Sequence, residues 1–206
     1  MLPLMRQMRR LILSWQGELA AGGCRTEPAL EASRAHSSDL DAALATLVAD
    51  LVFAQSSSDR ALHVPAQIPA RMVPGTSSRF APLAPEAARI AAGGRDPVLA
   101  GRLRSSVRGS LPVQELVRES IVPIIDEARG EHEAAATGFA AAHGREFGVP
   151  YEEAQALLGQ GSCLVALGRV SDAVTPLSGA RGIFAQLGAK PALEETDELM
   201  QQVPSA

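Results

Sequence analysis

Between residues 150 and 190 apolar positions recur with the period of a helix. Ala154, Leu157, Leu158, Gly161, Leu164 and Val165 fall on one side of a spiral of about 3.6 residues per turn. After Leu167-Gly168-Arg169, a second stripe follows at Val170, Ala173, Leu177, Ala180, Phe184 and Leu187. Gly168 suits the left-handed position that ends a helix, and Ser171 suits the cap of the next one. Gly188 stops the second helix, and Pro191 falls in the first turn of a third, where its missing N–H is tolerated. The pattern predicts helix, tight turn, helix. Pro176 lies early in the second helix, where a lost donor costs less than at mid-helix. The last segment, PALEETDELMQQVPSA, sets apolar Leu193, Leu199, Met200 and Val203 against acids, as a capping helix with one solvated face would.

The same pattern occurs once more upstream. Gly130 aligns with Gly168, Ala135 with Ala173, Phe139 with Leu177 and Ala142 with Ala180, all at one constant interval. The closing pairs Phe147-Gly148 and Leu187-Gly188 match at a slightly longer interval, and Pro150 and Pro191 follow them. A weaker copy, AAGGRDPVLAGRL, places Ala100 ahead of Ala135 at a slightly shorter one. Recurrence at intervals of roughly 40 residues marks helical hairpins stacked in an array, because no single hairpin hides its own apolar face. The fold class expected is all-α, with antiparallel helical hairpins stacked as a short α-solenoid. Gly130, Ala135, Ala142, Gly161, Gly168, Ala173 and Ala180 are its structural repeat positions. At Gly161, Ala173 and Ala180 the missing side chain lets helix axes approach closely.

Upstream of the repeats the pattern weakens. Residues 39–55, DLDAALATLVADLVFAQ, read as an amphipathic helix capped by Ser38 or Asp39. Residues 58–80 are rich in proline and serine without a sustained period, and predict a connection. Another helix resumes near Pro85 and runs to Ala92. The organisation expected is N-terminal helices over 1–57, a linker over 58–80, and repeats with a capping helix over 81–206.

Composition sharpens this in two respects. Aromatic residues make up only 3% of a chain that is 46% hydrophobic, which favours a core of close helix contacts over a sheet sandwich. A net charge of −4 supplies no global attraction for nucleic acid. Cys24 and Cys163 lie far apart and form no CxxC pair, so reduced thiols and a cytoplasmic setting are the expectation. Cys163, on an apolar helix face, reads as a small buried thiol. In MLPLMRQMRRLILSW the apolar run is too short for a secretory signal, and no window reaches the length of a membrane span.

Candidate chemistry is sparse. His132 and His143 are separated by close to three helical turns, roughly 16 Å of rise, too far to share one metal. Both are expected in solvent. His36 and His63 lack neighbours at ligand spacing. Glu152 and Glu153 open a helix, where carboxylates favour the positive end of its dipole. Gly93-Gly94-Arg95-Asp96 follows no strand and reads as a hairpin turn rather than a phosphate loop. Arg102, Arg104 and Arg108 form a local basic cluster at a solvated helix end. No catalytic residue, metal site or cofactor is expected.

Gly161, Gly168, Ala173 and Ala180 stand at the spacings of the small consensus positions of tetratricopeptide repeats. Three phrases further resemble the C-terminal repeat region of large bacterial signalling regulators. They are EARGEHEAAATGFAAAHGREFGVPYEEAQALLGQGSCLVALGR, LSGARGIFAQLGAKPALEETDEL and the upstream GGRDPVLAGRL. Those regulators join a nucleotide-cyclase domain or a LuxR-type helix-turn-helix to a P-loop ATPase and end in such repeats. The likeness covers roughly residues 80 to 200, with departures. Leu164 and Val170 stand where large aromatics are common, and Pro123 occupies the place of Gly161 in the next unit, where a kink is expected. No GxxxxGK[ST] occurs, the only lysine being Lys190, and no paired cyclase aspartates are found. The resemblance therefore implies repeats without catalysis, in what looks like a detached C-terminal segment.

A noncatalytic module for binding a protein or peptide is the functional expectation. Ser120, Ile124, Glu127, Gln155, Leu158 and Ser162 would face its groove. The alternative is a regulatory fragment acting on a separately encoded nucleotide cyclase, P-loop ATPase or LuxR-type regulator.

Overall fold

A computed structural model of the chain describes residues 81–93, 96–143 and 149–203. The expected helix at 39–55, the linker at 58–80, Cys24, His36, His63 and the Phe147-Gly148 close lie outside the described residues. Among these described residues, seven helices follow a short 3-10 turn, Ala81–Leu83. They are α1 (Ala84–Gly93), α2 (Pro97–Ser106), α3 (Pro112–Ala128), α4 (His132–His143), α5 (Pro150–Ala166), α6 (Val170–Leu187) and α7 (Lys190–Gln201). No strand occurs among the described residues, and the fold there is all-helical. Contacts divide the chain into two compact units between Arg118 and Glu119, inside α3.

In the first unit α1 packs on α2. Alanines at 84, 87, 88 and 91 give α1 a buried face that a partner helix can approach closely, and Leu99, Ala100 and Leu103 of α2 are buried with them. Asp96 is the N-cap of α2. Its Oδ1 accepts the Leu99 N–H at 2.9 Å, and Pro97 occupies the first turn. After α2, the Arg118 guanidinium donates to the carbonyls of Val107 (3.0 Å) and Gly109 (2.9 Å) and holds the loop to α3.

Among the described residues of the second unit, three helix joins are of one kind. Gly130, Gly168 and Gly188 have φ of 80°, 73° and 66°, a region that side chains disfavour. Each glycine N–H reaches back three residues, to Glu127 (2.9 Å), Val165 (2.9 Å) and Ala185 (3.2 Å). Each following N–H reaches back five, to Asp126 (2.9 Å), Leu164 (2.9 Å) and Phe184 (3.0 Å). This is the Schellman closure, which satisfies helix-end carbonyls while reversing the chain.

Across these joins α5 packs on α4 and α6, and α7 packs chiefly on α6. Ala135, Ala173 and Ala180 are all fully buried, while Ala142 is half-buried. The glycines of α5 face two different neighbours. A Cβ on Gly161 would lie 2.5 Å from Leu177 Cγ of α6, and one on Gly159 would lie 2.6 Å from Phe139 Cζ of α4. Leu177 and Phe139 are an aligned pair of the repeat. One helix thus receives the same large knob from each side, into two glycine notches. Tyr151 meets Phe184 edge to face at 5.8 Å and joins the start of α5 to the end of α6.

Three local expectations change. Ser171 does not cap α6: the helix begins at Val170 with Arg169 at its N-cap, because the Schellman turn ends there and leaves no residue to spare. Val170 is half-buried and Leu187 is 36% exposed, so the buried stripe of α6 is shorter at both ends. The buried contacts around α7 are Ala189, Ala192 and Thr196, with Leu193, Leu199 and Met200 only half-buried. Small residues let α7 sit close on α6. The Thr196 hydroxyl is satisfied by donating to the Ala192 carbonyl at 2.6 Å. Among the described residues, no helix is long and apolar enough to cross a membrane.

Candidate functional site

The six residues assigned to a groove come from two helices, Ser120, Ile124 and Glu127 from α3 and Gln155, Leu158 and Ser162 from α5. Two of them meet directly. The Ser162 hydroxyl donates to Glu127 Oε1 at 3.0 Å, joining two helices that are distant in sequence. Gln155 Nε2 donates to the Tyr151 hydroxyl, also at 3.0 Å, one turn back on its own helix. Ile124 and Leu158 are each 4% exposed and serve as core, whereas Ser120 is half-buried. The polar members therefore carry what this face presents to solvent.

Around Glu127 the structure gathers groups that sequence periodicity treats separately. Glu127 lies in the last turn of α3, His132 opens α4 across the Gly130 join, and Cys163 follows Ser162 on α5. Burial raises the Glu127 carboxyl above its ordinary range; hydrogen bonds from Ser162 and Cys163 and the nearby His132 pull it only part of the way back. Burial also pushes the Cys163 thiol up to about 12, helped by the Glu127 charge and the hydrogen bond between the two. A thiol so held stays protonated and is a poor nucleophile at neutral pH. His132 differs from the solvated histidine expected, since its Nδ1 is buried and makes no hydrogen bond. His143's side chain lies outside the described residues.

The order of these groups matters chemically. A hydroxyl relay places imidazole between hydroxyl and carboxylate. Here the carboxylate accepts directly from the hydroxyl, and the ring nitrogen stands without a partner. Among the described residues no group of three or more His, Cys, Asp or Glu could hold a metal ion. At the same ends of these helices, Arg169 pairs with Asp172 at 2.9 Å and with Glu133 of the preceding hairpin at 3.1 Å. Both contacts are exposed and contribute little individually.

The Glu127 cluster could have been suspected from the spacing of Glu127 and Ser162, which is close to the repeat interval and sets them on equivalent faces of successive first helices. The orphaned His132 nitrogen left no such signal, because a histidine beside a turn glycine normally faces water. Compared with protein families, curated proteins and solved structures, the chain matches none.

Proposed function

We propose that the second unit is a noncatalytic helical-repeat module of tetratricopeptide-like build that captures a protein or peptide partner on the face shared by α3 and α5. The observation carrying this reading is the threefold use of one helix join, together with the twofold use of one glycine notch for the aligned knobs Phe139 and Leu177. Hairpins repeated in this way create extended surfaces rather than enclosed reaction sites. The protonated, buried Cys163 and the carboxylate-centred contact at Ser162 also favour binding over nucleophilic chemistry.

Gln155 and Ser162, half-buried on α5, are the groups best placed to orient a bound segment, with Ile124 and Leu158 supporting them from beneath. The test is affinity capture by the full chain, compared with Gln155→Arg and with Ser178→Arg on the exposed side of α6. Capture should be lost in the first variant and kept in the second, with thermal melts unchanged in both. Equal capture by both variants would refute this face. A nucleotide cyclase or P-loop ATPase among the specifically captured proteins would favour the regulatory form of the proposal.

A further inference from the structure

We infer that residues 119–123 of α3 form a hinge, at which Pro123 lets the helix bend between two anchored halves. A proline inside a helix gives no N–H to the carbonyl four residues back, and its ring crowds that carbonyl. In α3 the bond lost is the one from residue 123 to Glu119. The aligned helix α5 has the same length, 17 residues, and carries Gly161 at this position, so its ladder has a donor there. The weak point of α3 coincides with the place where contacts divide, between Arg118 and Glu119.

Side chains fix the helix on either side of this stretch. Before it, the Arg118 guanidinium donates to the carbonyls of Val107 and Gly109, and Arg104 Nε donates to the Arg118 carbonyl at 3.0 Å. These bonds carry the end of α2 and the loop after it with the first half of α3. At the far edge, Pro123 lies against α4, where a Cβ on Gly138 would meet Pro123 Cβ at 3.0 Å, and Glu127 accepts the Ser162 hydroxyl of α5. Motion is thus confined to the residues between. Ile121, among them, is fully buried, so the helix bends while packed and does not melt. Kinks in packed helices collect at prolines for this reason. Ser120 lies within the hinge, and Ile124 and Glu127 lie beyond it. Bending therefore reshapes the α3 side of the face assigned to a partner; that consequence rests on the binding reading, while the hinge itself does not.

Amide hydrogen exchange of the full chain, read residue by residue without any partner, tests this. The amides of 120–122 and 124 should exchange at least about tenfold faster than the aligned 158–160 and 162 of α5, because bending opens the bonds around the missing one. Pro123→Ala restores the donor and keeps the Cβ that faces Gly138. In that variant the gap should close, with α5 as the internal standard for any change in global stability. A proline acting only as a packing knob predicts the reverse, since trimming its ring loosens α3 and widens the gap. Equal exchange in the two wild-type helices would overturn the hinge. So would a gap that persists or widens in Pro123→Ala. If that variant does not fold, spin labels at Glu115→Cys and Arg129→Cys, both exposed, replace it in a Cys24→Ser background, where Cys163 stays buried. A single narrow distance between the labels overturns the proposal, and a broad or two-peaked distribution upholds it.

Discussion

At the scale of single residues, what decides the packing is where a side chain is missing. Gly161 receives Leu177, and Gly159 receives Phe139. In the preceding hairpin the sizes are exchanged, since Pro123 stands where Gly161 stands and the facing helix carries Gly138, whose Cβ would lie 3.0 Å from Pro123 Cβ. What looks like a departure from the repeat in one helix is compensated in the next. Gly161→Ala gains helix propensity of about 1 kcal/mol, yet it presses on a Leu177 side chain that is fully buried and has nowhere to go. We expect a net loss of about 1–3 kcal/mol in urea unfolding, as for other overpacked cores. Ala173→Leu should cost a similar amount, because Ala173 is fully buried. Cys163 predicts an alkaline effect of definite sign. Its proton is held more tightly folded than unfolded, so stability is intact below the ordinary thiol value and declines as pH climbs toward about 12. Between pH 8 and 10.5 the melting temperature of wild type should fall more steeply than that of Cys163→Ala.

At the scale of elements, the joins were the most legible feature and the helix starts the least. Gly168 and Gly188 announce their turns because glycine tolerates the left-handed backbone each closure requires, and Gly130 gives the same signal one repeat earlier. Replacing Gly168 with alanine should destabilise the protein by about 1–2 kcal/mol through backbone strain alone. No side chain would be crowded, since nothing lies within 4 Å of a Cβ there. Helix starts were harder to read because several residues can begin a helix once the preceding turn is fixed, and Ser171 was displaced by a Schellman closure that ends at Arg169. The face of α7 was misleading for a related reason. Hydrophobic periodicity points to leucines, but close approach selected Ala192 and Thr196, whose hydroxyl is satisfied within its own helix.

At the scale of the whole molecule, the all-helical character of the described residues follows from period and composition together, and the division inside α3 does not. The division falls within one continuous helix, Pro112–Ala128, whose backbone is not interrupted there. The candidate site was legible only in part. Periodicity set Glu127 and Ser162 on one face, but their direct bond and the burial of His132 Nδ1 depend on how closely the hairpins stack. The role of α7 as a cover is also a property of the assembly. Removing residues 190–206 uncovers the α6 surface it packs on, and Arg181 loses its 2.7 Å pair with Asp197. The shortened chain should melt several degrees lower and aggregate on heating, as helical arrays without a terminal cap do.

The central claim is that matched absence and presence of side chains holds the hairpins together. A double-mutant cycle with Gly161→Ala and Leu177→Ala, followed by urea unfolding, tests it most directly. Each single change should destabilise the protein, the first by overpacking and the second by leaving a cavity. Combined, they should cost at least about 1 kcal/mol less than their sum, because the added methyl enters the space the leucine vacates. Energies that add within about 0.5 kcal/mol would mean that the two residues do not share a packing site, and would contradict the account.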